Sequence, residues 1–143
     1  MARTIPTPAV ASLEARSIII DATRCWRRAR DSRSPVQPAL YAALATHRCA
    51  VLTPVLDGLL ALYEACIGRR LRAGASGQAE ISGDERDLLD LLAGAEEDLP
   101  LPGIVNPGLT GTLRIALRSA RFMLRLALEP CEQRPVLRVL APA

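Results

Sequence analysis

An all-α fold, a compact four-helix arrangement with a long, kinked second helix, is predicted by three features of this sequence. Apolar residues recur with a helical period over long stretches. Leu and Ala dominate a chain that is 50% hydrophobic but only 3% aromatic, which favours helix over sheet. Proline, glycine and small polar residues fall between those stretches, where helices begin and end. At 143 residues the chain has the length of one domain with a real core. Residues 1–143 are read as a single helical domain, with tails at 1–8 and 130–143 that either lie against the body or stay loose.

The first helix is expected from about Ala9 to Arg30, after Pro6 and Pro8 and before the stop signal "DSRSP". Its middle, "SIIIDA", is β-branched and would also suit a short buried strand, but no nearby segment offers a pairing partner. The second helix begins near Pro38, a residue suited to a first turn, and runs to about Arg72. Leu40, Leu44, Val51, Val55, Leu59, Leu62 and Cys66 form its apolar face. Pro54 stands mid-pattern, where it removes a hydrogen bond and clashes with the preceding turn. A kink or two abutting helices are therefore expected near His47–Thr53. "AGASGQAEISG" reads as a flexible connection. Ser82 and Glu85 in "SGDE" make a capping box that opens a short helix, Gly83–Ala93, closed by Gly94. "EEDLPLPGIVNPG", with three prolines and two glycines, is a long loop. Thr110 or Thr112 caps the last helix, and Pro130 ends it.

All eighteen basic residues are arginine and the net charge is +3. The absence of lysine fits a GC-rich coding sequence, so the basic balance is weak evidence for an anionic partner. The charge is uneven: residues 76–106 carry eight acids against Arg86 alone. No segment reads as a membrane span, since the best candidate, Ala50–Gly68, carries Asp57 and Glu64 and is interrupted by Pro54. No secretory signal is visible at the N-terminus, and a cytoplasmic location is expected. Cys25, Cys49, Cys66 and Cys131 are then free thiols packed as small hydrophobes.

The segment that invites a functional reading is "TGTLRIALRSARFMLRLAL", residues 110–128. Arg114, Arg118, Arg121 and Arg125 fall in one sector roughly 60° wide on a helix otherwise nearly all apolar. Such a helix is either central or uses a second face to bind. The stripe can be the solvated edge of a buried helix, can pair with acids of this chain or a second subunit, or can touch nucleic acid or acidic lipid. The pairing expected first is with Asp57 and Glu64, whose seven-residue spacing matches Arg114/Arg121 and Arg118/Arg125, with the acids of Glu80–Asp90 as a second set. A second basic patch, "CWRRARDSR", holds Trp26, Arg27, Arg28 and Arg30 at a helix end, where cations complement the dipole. Trp26 there either anchors the helix to a neighbour or stacks on a base or on arginine. "GRRLR", with Arg69, Arg70 and Arg72, is a third helix-end patch.

Catalysis is unsupported. Neither G-x-S-x-G nor G-x-G-x-x-G occurs, and a phosphate loop of the G-x-x-x-x-G-K type is impossible without lysine. His47 and Cys49 form an H-x-C, but the other cysteines are isolated, so no zinc site and no cofactor is expected.

"HRCAVLTPVLDGLLALY", then "ISGDERDLLDLLAG", then an arginine-bearing helix, resembles a family of small uncharacterised alphaproteobacterial helical proteins classed as a domain of unknown function. The resemblance spans the central half of the chain. Members often carry a cysteine cluster just before the capped helix; "GASGQAEIS" has none, so no metal or redox role carries over. The resemblance implies a class and no activity. The reading that results is a non-catalytic protein-interaction or regulatory module, homodimeric because two helices look too apolar for one small bundle to cover. The rival is a nucleic-acid-binding regulator using the two arginine patches.

Overall fold

A computed structural model gives the fold and describes residues 12–94 and 103–129. Helix accounts for 73% of the described residues, in five α-helices and two short 3-10 turns, and no strand occurs among them. The first, α1, spans Leu13–Asp31 and opens on Ser12, whose hydroxyl accepts from the amide of Ala15 at 3.1 Å. "SIIIDA" lies within it as helix: Ile18 and Ile19 are buried, and Thr23 donates to the carbonyl of Ile19. The strand alternative fails because these residues are helical throughout and no strand occurs among the described residues. Five consecutive residues, Ala22–Trp26, are buried, which is possible only where a helix is covered on every side. The helix packs against α2, α3 and α4, which supply that cover.

Of the two alternatives near His47–Thr53, the second segment is two helices and not one long kinked one. Helix α2, Val36–Ala45, ends in a turn at 46–49, where Arg48 takes φ +59°; a 3-10 turn, Ala50–Leu52, leads into α3, Thr53–Ile67. Pro54 therefore starts a helix rather than kinking one, at a first-turn position where its missing N–H costs nothing. The break also rephases the apolar face. Leu52, Leu56, Leu60 and Tyr63 join Leu59 and Cys66 in the core, while Val51 is left 61% exposed. The helix stops at Gly68 rather than at Arg72, in a left-handed cap with φ +66° and its amide on the carbonyl of Glu64. A Cβ here would also stand 2.3 Å from Cγ2 of Val105. By length and composition alone, Ala50–Ile67 is apolar enough to cross a membrane, at mean hydropathy 1.6. Its buried residues form part of the bundle core.

Helix α4, Gly83–Ala93, is capped by Ser82, whose hydroxyl accepts from the amide of Glu85 at 3.1 Å. Helix α5, Thr110–Leu128, begins after a 3-10 turn at Pro107–Leu109, with no side chain capping it; neither Thr110 nor Thr112 does so. The approach to it is tied to the end of α3, where the amides of Val105 and Asn106 donate to the carbonyl of Cys66 and the Asn106 side chain to that of Ala65. Helix α5 packs on α3 and α4. The two expected tails, 1–8 and 130–143, lie outside the described residues. Cys25, Cys49 and Cys66 are buried free thiols; Cys131 falls outside the described residues.

Ser82→Ala is expected to lower stability by about 1 kcal/mol, the usual worth of an N-cap hydroxyl. The same hydroxyl donates to the carbonyl of Arg72 at 2.6 Å, so the loss reaches the loop before α4 as well. A urea midpoint equal to that of the parent would remove the cap from this account.

Candidate functional site

The polar groups of the bundle are organised by arginines of α1 and of the segment after α3. Arg24, with a side chain only 5% exposed, forms a two-pronged pair with Glu85: Nε donates to Oε1 at 3.2 Å and Nη2 to Oε2 at 3.1 Å. Its remaining donors reach the carbonyls of Gln78 at 2.7 Å and Glu80 at 2.9 Å. The Glu85 carboxylate also accepts from the amide of Gly74. In a capping box this carboxylate would turn back to the Ser82 amide. Here it is taken by Arg24, and only the serine half of the box forms. The segment expected to be a flexible connection is thus held by two of its carbonyls and one of its amides.

Beside this pair, Arg69 grips Asp84 with both terminal nitrogens, and the amide of Arg72 donates to the same carboxylate at 2.7 Å. The Arg69 hydrogen bonds hold the Asp84 carboxyl below its ordinary 3.8, against the opposing effect of burial. Tyr63 nearby is pushed up to about 12, first by burial and then by the charges of Asp87 and Asp84. Burial likewise raises the thiols of Cys49 and Cys66.

Asp57 and Glu64 face α1 and α2. Asp57 accepts from the Trp26 indole at 2.9 Å and from Gln37 at 2.8 Å. Glu64 accepts from Arg27, from Arg30 at 3.3 Å and from the amide of Leu71 at 3.0 Å. Glu64 pairs with arginine as expected, Asp57 is met by neutral donors instead, and the register proposed against the last helix does not form. The arginines that meet Glu64 are those of α1, because α1 and not α5 lies along that face of α3. Asp84 and Glu85 of the second expected set are engaged by Arg69, which follows α3, and by Arg24 of α1.

Trp26 is fully buried, with Arg30 over its ring at 4.7 Å and Arg27 at 5.4 Å. It anchors α1 to α3 and offers no face to a base. Arg28 and Arg30 remain exposed at the same end of the bundle. His47 shares a 2.7 Å contact with Asp21, and no cluster of three potential metal ligands occurs among the described residues.

On α5 the inner face is Leu113, Leu117, Ala120 and Leu124, all buried. Roughly 180° away on the helix, Ile115, Phe122 and Leu126 are 66%, 58% and 42% exposed. The helix is therefore not the central one; of the two readings open for it, the structure has the second face. The arginine stripe runs between these faces, with Arg118 and Arg125 exposed and Arg114 and Arg121 partly covered. Arg121 donates to the carbonyls of Leu91 and Leu92 at 2.8 and 3.0 Å, closing the C-terminal end of α4. The exposed apolar stripe had a signal in the sequence, the i, i+7, i+11 spacing of those three residues, which the surrounding leucines masked. No family model, no curated protein and no solved structure matches the chain.

Two outcomes test the network. Glu85→Ala strands a buried guanidinium and should cost about 3–5 kcal/mol; a loss typical of an exposed pair would show that water reaches Arg24. For Asp84, the folded state keeps the carboxylate ionised at pH values where the unfolded chain has begun to protonate. That stability is complete above the unfolded value and is lost as pH falls through the folded one. The melting midpoint should therefore drop below pH about 4, and less steeply in Asp84→Asn. Parallel pH profiles would show that Asp84 contributes nothing to acid sensitivity.

Proposed function

We propose that this chain is a non-catalytic protein-interaction module that acts in the cytoplasm and associates with a second copy of itself through the outer face of α5. The observation that carries the reading is the exposure of Ile115, Phe122 and Leu126 in one stripe, on the side of α5 opposite its buried residues. Three large apolar side chains aligned over about 17 Å of helix are more than the scattered exposed leucine of an ordinary surface. The stripe carries no charge along its centre, so two copies can share it as an isologous contact. Its area falls short of the roughly 800 Å² per partner of a standard interface, so the dimer is expected to be weak and to dissociate at micromolar concentration.

Light scattering on the full chain over a concentration series checks this. The parent should pass from monomer to dimer, and Phe122→Glu should remain monomeric with its helical content unchanged. A parent that stays monomeric throughout, or a variant that associates as the parent does, refutes self-association at this face.

A further inference from the structure

We infer that the end of the bundle where α1 and α3 terminate binds the phosphodiester backbone of duplex nucleic acid, through Arg28, Arg30, Arg33, Arg70 and Arg72. These residues come from two patches that lie forty residues apart in the chain, and the fold joins them. Arg70 reaches Asp31, and Arg30 and Arg27 reach Glu64, which brings the last turn of α1 against the residues after α3. Seven arginines (27, 28, 30, 33, 69, 70 and 72) then stand with four carboxylates, those of Asp31, Glu64, Asp84 and Asp87, a surplus of three positive charges. The carbonyl ends of α1 and α3 point the same way and offset about half a charge each. Several of those carbonyls are already closed by the amides of Ser32, Ser34 and Gly68. The surplus therefore survives.

The fold has no use for part of this charge. Arg28 and Arg33 are exposed and make no side-chain hydrogen bond or ion pair among the described residues; Arg72 has only its attraction to Asp84. Arg33 goes further, because it holds φ +54°, the left-handed conformation at a helix C-terminus that glycine adopts without penalty. An exposed arginine at a position where the backbone favours glycine, with no side-chain hydrogen bond or ion pair among the described residues, is available to a ligand. Guanidinium groups match phosphate oxygens in a two-pronged fashion. Lipid is disfavoured because interfacial binding wants a row of apolar side chains to insert, and Val105 beside Gly68 is the one exposed large apolar residue this end borders among those described. The exposed amides of Gln37 and Asn106 are committed to Asp57 and to the carbonyl of Ala65, so binding is independent of sequence.

The test is fluorescence anisotropy of the full chain with a labelled random duplex of about 20 base pairs over a salt series. Binding at low salt is expected, with a slope of log affinity on log salt of about −3 to −5 for three to five neutralised phosphates. Arg28→Glu combined with Arg72→Glu should weaken binding at least tenfold. Arg33→Gly should weaken it while leaving the melting midpoint equal or higher, which separates a ligand role from a structural one. Arg125→Glu on α5 should bind as the parent does. Absence of binding at low salt, or equal binding by the Arg28/Arg72 variant, overturns the inference. So does comparable affinity for phosphatidylglycerol vesicles or polyglutamate.

Discussion

A guanidinium enclosed by protein has to have its donors met, and the position of Arg24 imposes that condition on everything around it. Two donors go to Glu85 in the first turn of α4, and the others to carbonyls of the segment before it. The segment 72–82 is by composition a free linker, yet its path follows the arginine. At Gly74 a Cβ would come within 2.8 Å of Arg24 Nη2, so the backbone there must pass close and bare. The placement of α4 against α1 follows from the same contact, since Glu85 cannot leave Arg24 without exposing a buried ion to an apolar interior.

That arrangement also settles where the acidic part of the chain finds its counter-charge. Asp84 and Glu85 turn inward to Arg69 and Arg24, and Asp57 and Glu64 are met from α1 and α2. Each of these acids sits at an inter-element seam, where it fixes a relative position that leucine packing alone would leave loose. Trp26 shows the coupling of the two kinds of force. Its ring fills the core between α1 and α3, its indole N–H sets the rotation of α1 by bonding Asp57, and two arginines cover its outer side.

What the sequence made legible was local. Ser82 and its helix could be read because a capping hydroxyl and the amide that donates to it lie three residues apart, and the helical period of α1 overrode the β-branched run at Ile18–Ile20. The division of the second segment was half legible. Pro54 announced an irregularity, but the turn before it is made by Arg48 in a left-handed conformation, a residue that carries no such signal. Gly68, which ends α3, is passed over when that segment is run to about Arg72. The pairing of acids with arginines was not legible, because a seven-residue spacing fits any neighbouring helix and says nothing about which one is adjacent. Arg27 and Glu64 lie 37 residues apart, and only the packing of α1 on α3 makes them neighbours. Centrality was misleading for a related reason: α5 is the more apolar helix, yet α1, with Arg24 and Thr23 among its buried residues, is the more enclosed.

The exposure of the outer face of α5 follows from how this helix is rotated. With leucines on one side and Ile115, Phe122 and Leu126 on the other, hydrophobicity alone would let it pack either way round. Two features break the tie. Ala120 makes the inner face flat enough for close approach, whereas Phe122 and β-branched Ile115 make the outer one uneven. Arg121, at the edge between the faces, bonds the last carbonyls of α4, a helix with no basic residue in its own last turn. Turning α5 over would strip those carbonyls of their donor and carry the arginine away from them. A polar contact at one helix end therefore selects which apolar face is buried, and so determines which is left for solvent or for a partner.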